Sequence, residues 1–334
     1  MQDTVAGSGG SSAACTTRVY GFDADSNRTS LKSYGAGMGG ACSTQTTATT
    51  ATSTFDQADR VTNAGYAYDT LGRTTSVPAT DASGIGPFAA ATGSLTVGYY
   101  ANDMTASEAQ GGQTASFALD PLLDRIVSTT TGRTVTTNDY GDDTDSPDWS
   151  TTGGAWTRDV SGPDGNLDAT VTQAGVVTLD LVNLQGDEVA TAADSTSDTG
   201  VTAGSYTEST EYGAPRNPTA ATATYGWLGG KERSAENLGG LIQMGVRLYN
   251  PATGRFLSAD PVYGGNANPY VCPTDPVNGD DLTGEAQHGN NRVGGEKSRL
   301  RYSYFRIDGR SFEEGRGIGS GGAVIALLFL VALA

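Results

Sequence analysis

Lysine and histidine are almost missing from this 334-residue chain: lysine occurs only at positions 32, 231 and 297, and the one histidine is His288. Three cysteines, Cys15, Cys42 and Cys272, include no Cys-x-x-Cys pair. A zinc site needs four such ligands close together, so zinc is excluded, and no metal or other cofactor is expected. A Ser-His-Asp or Cys-His hydrolase would rest on His288 alone. Charge is scarce at 17 % of residues and one-sided. Residues 1–285 hold 13 basic and 33 acidic side chains, a net of −20, whereas residues 286–334 hold 7 and 4, a net of +3. Nucleic acid is bound mainly through phosphate neutralisation, so the acidic part should repel it. Residues 1–10 have neither a basic patch nor an apolar core, and so no signal peptide. An export address would lie elsewhere, or the chain is a piece of a longer one.

What is abundant is glycine, 47 residues, and threonine, 45. Threonine suits half-buried pleated surfaces and glycine supplies turns with positive φ, so the composition favours an all-β fold over a helical bundle, a coiled coil or a helix-rich α/β enzyme. A unit recurs in the first half: an aromatic or apolar residue, an Asp, a short turn, an Arg, then alternating Thr/Ser and apolar residues. The copies are Tyr20-Gly21-Phe22-Asp23 with Arg28, Phe55-Asp56 with Arg60, Tyr66-Ala67-Tyr68-Asp69-Thr70-Leu71-Gly72-Arg73, and Phe117-Ala118-Leu119-Asp120 with Arg125. Each reads as a β-hairpin. Tyr66 and Tyr68 face one side of a strand. Asp69 can accept turn amides, Gly72 can turn left-handed, and Arg73 can pair with the Asp. One hairpin is marginal alone, so stacked copies must bury the aromatic faces. Residues 165–191 continue as a meander around the strand Val176 to Val182. The polar stretches 43–54 and 191–204 read as surface loops. Cys15 and Cys42 flank one repeat and could form a disulfide in an exported protein, or remain as two buried thiols.

Tyr68-Asp69-x-x-Gly72-Arg73-x-Thr75 resembles the signature of the Rhs/YD-repeat family. A more specific match lies downstream, in Tyr225-Gly226-Trp227-Leu228-Gly229-Gly230-Lys231 and in the run from Met244-Gly245-Val246-Arg247-Leu248-Tyr249-Asn250-Pro251 through Gly254-Arg255-Phe256-Leu257-Ser258-Ala259-Asp260-Pro261. Asn268-Pro269-Tyr270, Asp275-Pro276-Val277-Asn278 and Asp281-Leu282-Thr283-Gly284 complete it. This is similar to the Rhs repeat-associated core in its actinobacterial form. The resemblance implies three regions: YD-repeat hairpins over 1–204, the core over 205–285, and a variable tail over 286–334. It also implies a teneurin-like strip of hairpins forming a β-shell, here partial, around a C-terminal toxin exported for intercellular competition, with an immunity protein as a further partner.

The same resemblance implies self-cleavage at the end of the core through paired aspartates, matched here by Asp260 and Asp281, with Arg247 orienting one of them. The scissile bond would follow Gly284 or Glu285. Two close carboxylates can share a proton, one activating a water and the other acting as acid, and an intramolecular substrate is already concentrated. The second motif departs from the family pattern of Asp-Pro-x-Gly-Leu: Leu282 replaces the proline and Glu285 the leucine. Cys272 stands where an aromatic residue is usual. Asp and Gly in such runs also serve simply as turn formers. The expected chain is thus the C-terminal part of an Rhs/YD-repeat polymorphic toxin, at most a self-cleaving enzyme. The alternative is an adhesive cell-surface protein without cleavage or toxin. Residues 317–334 carry no charge and end in a 12-residue apolar run from Ala323 to Ala334. Three readings of this run stand: a short hydrophobic helix tethering an otherwise secreted or surface-associated protein to a membrane, the start of a membrane-active toxin, or a translated stretch unrelated to the parent protein.

Overall fold

The hairpins at 56–60 and 69–73 are closed by the same local chemistry. In residues 69–73 one oxygen of Asp69 accepts the backbone N–H groups of Leu71 (2.9 Å) and Arg73 (3.0 Å), and the other accepts Arg73 Nε–H at 2.6 Å. The Asp69 N–H donates to the Arg73 carbonyl and Gly72 N–H donates back to Asp69, with Gly72 at φ +84°. This is a type I turn followed by one left-handed residue, which matches the twist of the flanking strands. The same backbone bonds recur at 23–27, 56–60, 100–104, 162–166, 183–187 and 210–214. Glycine is not obligatory in the left-handed place: Asp59 and Asp103 take it at φ +59° and +68°, as short polar side chains can. In the copy at 120–125 the loop is one residue longer, Asp124 is left-handed, and Arg125 reaches Asp120 at 3.5 Å. In the first copy Asn27, not Arg28, bonds Asp23 (3.1 Å), and Arg28 lies over the Tyr20 and Tyr212 rings.

The computed structural model describes residues 2–5, 14–82, 92–120, 122–194, 206–216, 224–262, 268–271, 275–285 and 288–289, all within the unit Met1–Glu296. Cys272 and the tail from 290 onward, with the apolar segment 317–334 and its expected helix, lie outside the described residues. A four-stranded sheet holds β1 (Gln2–Val5), β2 (Ala14–Phe22), β3 (Arg28–Tyr34) and β4 (Ala48–Thr52) in that order. The last of these corrects the reading of 43–54 as a loop. Ala48–Thr52 pairs with β3 along its whole length, and four of its five residues are exposed. A threonine–alanine edge strand wet on both faces has no alternation to betray it.

The main sheet has twelve antiparallel strands, again in sequence order. They are β5 (Ala67–Tyr68), β6 (Thr74–Val77), β7 (Leu95–Tyr99), β8 (Thr105–Gln110), β9 (Gln113–Leu119), β10 (Ile126–Thr131), β11 (Thr134–Asp139), β12 (Trp149–Thr152), β13 (Ala155–Ser161), β14 (Leu167–Thr172), β15 (Val177–Val182) and β16 (Glu188–Ala193). In such a meander alternate turns lie at the same end of the strip, and here they are tied together. Arg73 Nη1 donates to the Tyr100 carbonyl (2.9 Å) and to Asp103 (3.0 Å), Asn102 donates to Asp124 (2.8 Å), and Arg125 donates to the carbonyls of Asp142 (2.6 Å) and Thr144 (2.7 Å). Arg73 and Arg125 therefore each do two things: they brace their own turn and hook the next one at that end. The fold is all-β, as its composition leads one to expect.

Residues 224–262 and 268–271 pack on this strip. Leu238, Leu241, Leu248 and Leu257 join Val77, Ala82, Leu95 and Val97 in one buried cluster. Trp227, Ile242, Met244, Tyr249 and Phe256 form a second, with Trp227 stacked on Tyr249 at 5.1 Å. The segment also reads the hairpin turns through polar groups. Arg255 donates to Asn27 (2.6 Å) and to the Asp59 carbonyl, Asn268 to the carbonyl of Asp25 (2.9 Å), and Tyr270 to that of Gly72 (2.7 Å). Its own strands are β17 (Ile242–Met244), β18 (Arg247–Asn250) and β19 (Arg255–Phe256), followed by the pair β20 (Gly279–Asp280) and β21 (His288–Gly289).

Candidate functional site

Arg247 opens β18 and is 2 % exposed. A buried guanidinium needs acceptors for its donors, and the fold supplies them from three stretches of chain. Nη1 donates to the Pro269 carbonyl at 2.9 Å and, at the limit of bonding distance, to the Ser258 carbonyl at 3.5 Å. Nη2 donates to Asp281 at 2.9 Å and approaches Asp260 at 3.5 Å. The guanidinium carbon stands 3.7 Å above the centroid of the Phe256 ring, a cation–π contact shielded from water. The side chains of Asp260 and Asp281 are 3 % and 0 % exposed. The sequence-derived trio is therefore one buried cluster, with a single nitrogen facing both carboxylates.

Each carboxylate is aimed by its second oxygen. Asp260 Oδ1 accepts the Val262 N–H at 2.8 Å. Asp281 Oδ1 accepts the Glu285 N–H at 3.0 Å, and the Gly284 N–H donates to the Asp281 carbonyl at 3.2 Å. The Glu285 nitrogen is the amide nitrogen of the Gly284–Glu285 bond, so Asp281 touches one of the two peptide bonds expected from the sequence, the one after Gly284 and not the one after Glu285. Two glycines bring this turn against the β17–β18 hairpin. A Cβ on Gly245, at φ +55°, would lie 2.1 Å from the Thr283 carbonyl oxygen, and one on Gly284, at φ +65°, would lie 2.6 Å from that of Met244. Val246 N–H donates to the Thr283 carbonyl at 3.0 Å across the same contact. Phe256, Pro269 and Gly245 were not identifiable as site residues from the sequence. Gly245 lies in the quoted run, but nothing local marks it as the point where Thr283 approaches.

Cys15, buried on β2, and Cys42, exposed beyond β3, form a disulfide with Cα atoms 4.8 Å apart. Sequence reading also passed over a set of buried acids. Asp159 and Asp180 are each 8 % exposed, Glu188 7 % and Glu232 9 %. Burial is the main cause that pushes their carboxyls up, to about 7, about 6, about 8 and about 8 respectively, and mutual repulsion adds to it. Glu108, which accepts the Leu238 N–H at 2.9 Å, is raised to about 8 by burial. Among the described residues no cluster of His, Cys, Asp and Glu is arranged to hold a metal ion, and no helix is long and apolar enough to cross a membrane.

No protein-family profile and no curated protein matches the chain. Among solved structures it is similar to a chain of the Photorhabdus luminescens Tc holotoxin pore carrying a mutated TccC3, with TM-score 0.59 and 13 % identity over 86 % of this chain and 14 % of that one. It is also similar to the TcdB2–TccC3 structure without the hypervariable C-terminal region, with TM-score 0.49 and 16 % identity over 81 % of this chain and 13 % of that one. The likeness is one of fold, and this chain spans about a seventh of the length of the first relative. The hairpin strip thus shares its fold with part of that Tc holotoxin chain.

Proposed function

We propose that this chain is part of an exported Rhs-type toxin shell that cuts itself at the end of the segment 205–285 and so frees its tail, residues 286–334, as cargo. The observation that carries this reading is the 3.0 Å contact between Asp281 Oδ1 and the Glu285 nitrogen, beside an arginine that also faces Asp260. In the proposed step Asp260 takes a proton from a water that attacks the Gly284 carbonyl carbon. Asp281, carrying the proton the pair shares, hands it to the Glu285 nitrogen as the C–N bond breaks, leaving a Gly284 carboxyl group, a Glu285 amine and the shared proton on Asp260. Arg247 holds both carboxylates in place, and the cis arrangement removes any need for substrate binding. An immunity protein for the freed tail, and contact of 317–334 with a membrane, are the partners this reading calls for.

Incubating purified chain and measuring the products by intact mass spectrometry tests it. A fragment ending at Gly284 is expected from the wild type, and Asp260→Asn and Asp281→Asn should each slow its formation about 100-fold or more while leaving the far-UV spectrum unchanged. Arg247→Ala should slow it too, with some loss of stability. If the departures at 282 and 285 have silenced the wild type, the double variant Leu282→Pro/Glu285→Leu should cut. Absence of cleavage in both would leave the Arg247 cluster as a clasp that joins the three chain segments, and the protein as a docking or adhesive shell.

A further inference from the structure

We propose that the carboxylates of Asp159, Asp180, Glu188 and Glu232 form a pH-dependent latch, closed in acid and loosened in base, that fastens the 225–232 segment to the β13–β16 end of the strip. The four come from opposite sides of one contact. Asp159 lies on β13, Asp180 on β15 and Glu188 at the start of β16, while Glu232 belongs to the segment that covers them. That segment is sewn on by the backbone: Glu188 N–H donates to the Gly226 carbonyl at 2.9 Å, Gly230 N–H to that of Gly186 at 2.8 Å, and Leu228 N–H to the Asp187 carboxylate at 3.0 Å. A Cβ on Gly229 would stand 3.1 Å from Glu188 Cβ, so the two surfaces touch closely.

Polar atoms in such a contact should be paired, and here two are not. Asp180 Oδ2 and Glu232 Oε2 are buried without a hydrogen-bond partner. Asp159 accepts one bond, from the Tyr225 hydroxyl at 3.1 Å. Of the positive groups facing the cluster, Arg233 acts on Glu232 in the lowering sense, but burial and Asp159 outweigh it and its hydrogen bonds go to Asp145 (2.6 and 3.0 Å), while Lys231 Nζ donates to the Gly165 carbonyl at 3.0 Å. The remaining neighbours are negative. Asp145 and Asp148 from the β11–β12 connection act on Glu232, Asp168 of β14 acts on Asp180, and Glu236 acts on Tyr225. No described residue set can hold a metal ion there. A proton is then the species that neutralises the cluster, and removing it places several like charges in one dry contact.

The sign follows from linkage. Burial raises these groups above their unfolded values near 4, so the neutral form stabilises the docked state. That contribution is complete in acid and is lost as pH rises through about 6 for Asp180, about 7 for Asp159 and about 8 for Glu188 and Glu232.

Thermal melts of the full chain from about pH 5.5 to about pH 9 test the latch. The melting temperature of the wild type should fall across this range. Each single isosteric change, Asp180→Asn, Glu188→Gln or Glu232→Gln, should shrink the fall, and the three combined should shrink it most and raise the melting temperature at the alkaline end, the remainder coming from Asp159 and Glu108. The single variants keep the test alive if the triple variant misfolds. Emission from Trp227, read in a Trp149→Phe/Trp156→Phe background, should shift towards that of solvent-exposed indole as pH rises in the wild type but not in Glu232→Gln. A fall of equal size in wild type and variants, or a Trp227 signal indifferent to pH, would overturn the proposal. The latch does not depend on self-cleavage: every measurement is made on the uncut Asp281→Asn chain as well.

Discussion

At the scale of single residues, the site depends on places where a side chain is missing. Gly245 and Gly284 face each other across the closest backbone approach near Arg247, and each is left-handed. Gly245→Ala combines a left-handed alanine with a Cβ driven into the Thr283 carbonyl, and should cost about 2 kcal/mol or more of stability. Gly93 is left-handed too, at φ +94°, but nothing lies within 4 Å of its notional Cβ, so Gly93→Ala should cost only the backbone strain, about 1 kcal/mol. Denaturant melts of the two variants separate the price of conformation from that of contact, and equal losses would mean that the 281–285 turn moves aside freely. Arg247 works in the opposite sense. It fills its place, and the Phe256 face, two backbone carbonyls and two carboxylates account for its burial.

At the scale of the element, the five-residue turn carries the fold. Asp69→Ala removes the acceptor of two amide N–H groups and the partner of Arg73, which in turn hooks 100–104. The loss should be about 1 kcal/mol, since the pair sits near the surface and is partly screened. Asp56→Ala should cost less, because the Asp56–Arg60 pair is more exposed and no bond from Arg60 to another turn accompanies it among the described contacts. Burial acts to raise the Asp69 carboxyl, but Arg73 and the two amides outweigh it and hold it below the usual carboxylate value. Its contribution is therefore present above about pH 4 and is lost as pH falls further. An acid titration of stability should be shallower in Asp69→Asn than in the wild type. These turns were legible in the sequence because Asp, left-handed residue and Arg all act within five positions. Ala48–Thr52 was not, because its strand character comes from β3 beside it and not from its own pattern.

At the scale of the whole molecule, distant parts were legible only where a motif marked them. Arg247 lies 13 residues from Asp260 and 34 from Asp281, spacings with no local meaning, and only the resemblance joined them before the fold did. The buried acids carried no such mark: strand alternation can place Asp159 and Asp180 on a face, but it does not say that residues 225–232 will cover that face. The Cys15–Cys42 bridge is another long-range tie, closing a separation of 27 residues. Reduction, or Cys42→Ser, should lower stability by about 3 kcal/mol, which thermal melts with and without reductant would register. Among all these ties the strand order has the widest reach. Each strand of the meander pairs with the one made just before it, so the strip can be laid down hairpin by hairpin as the chain emerges, and no strand must be slipped between two already paired. The bonds from Arg255 to Asn27 and from Asn268 to Asp25 span 228 and 243 residues and can form only at the end. Assembly therefore has a fixed last event, and a chain drawn from its C-terminal side through a narrow opening would release those late ties first and then give up the strands of the meander one after another.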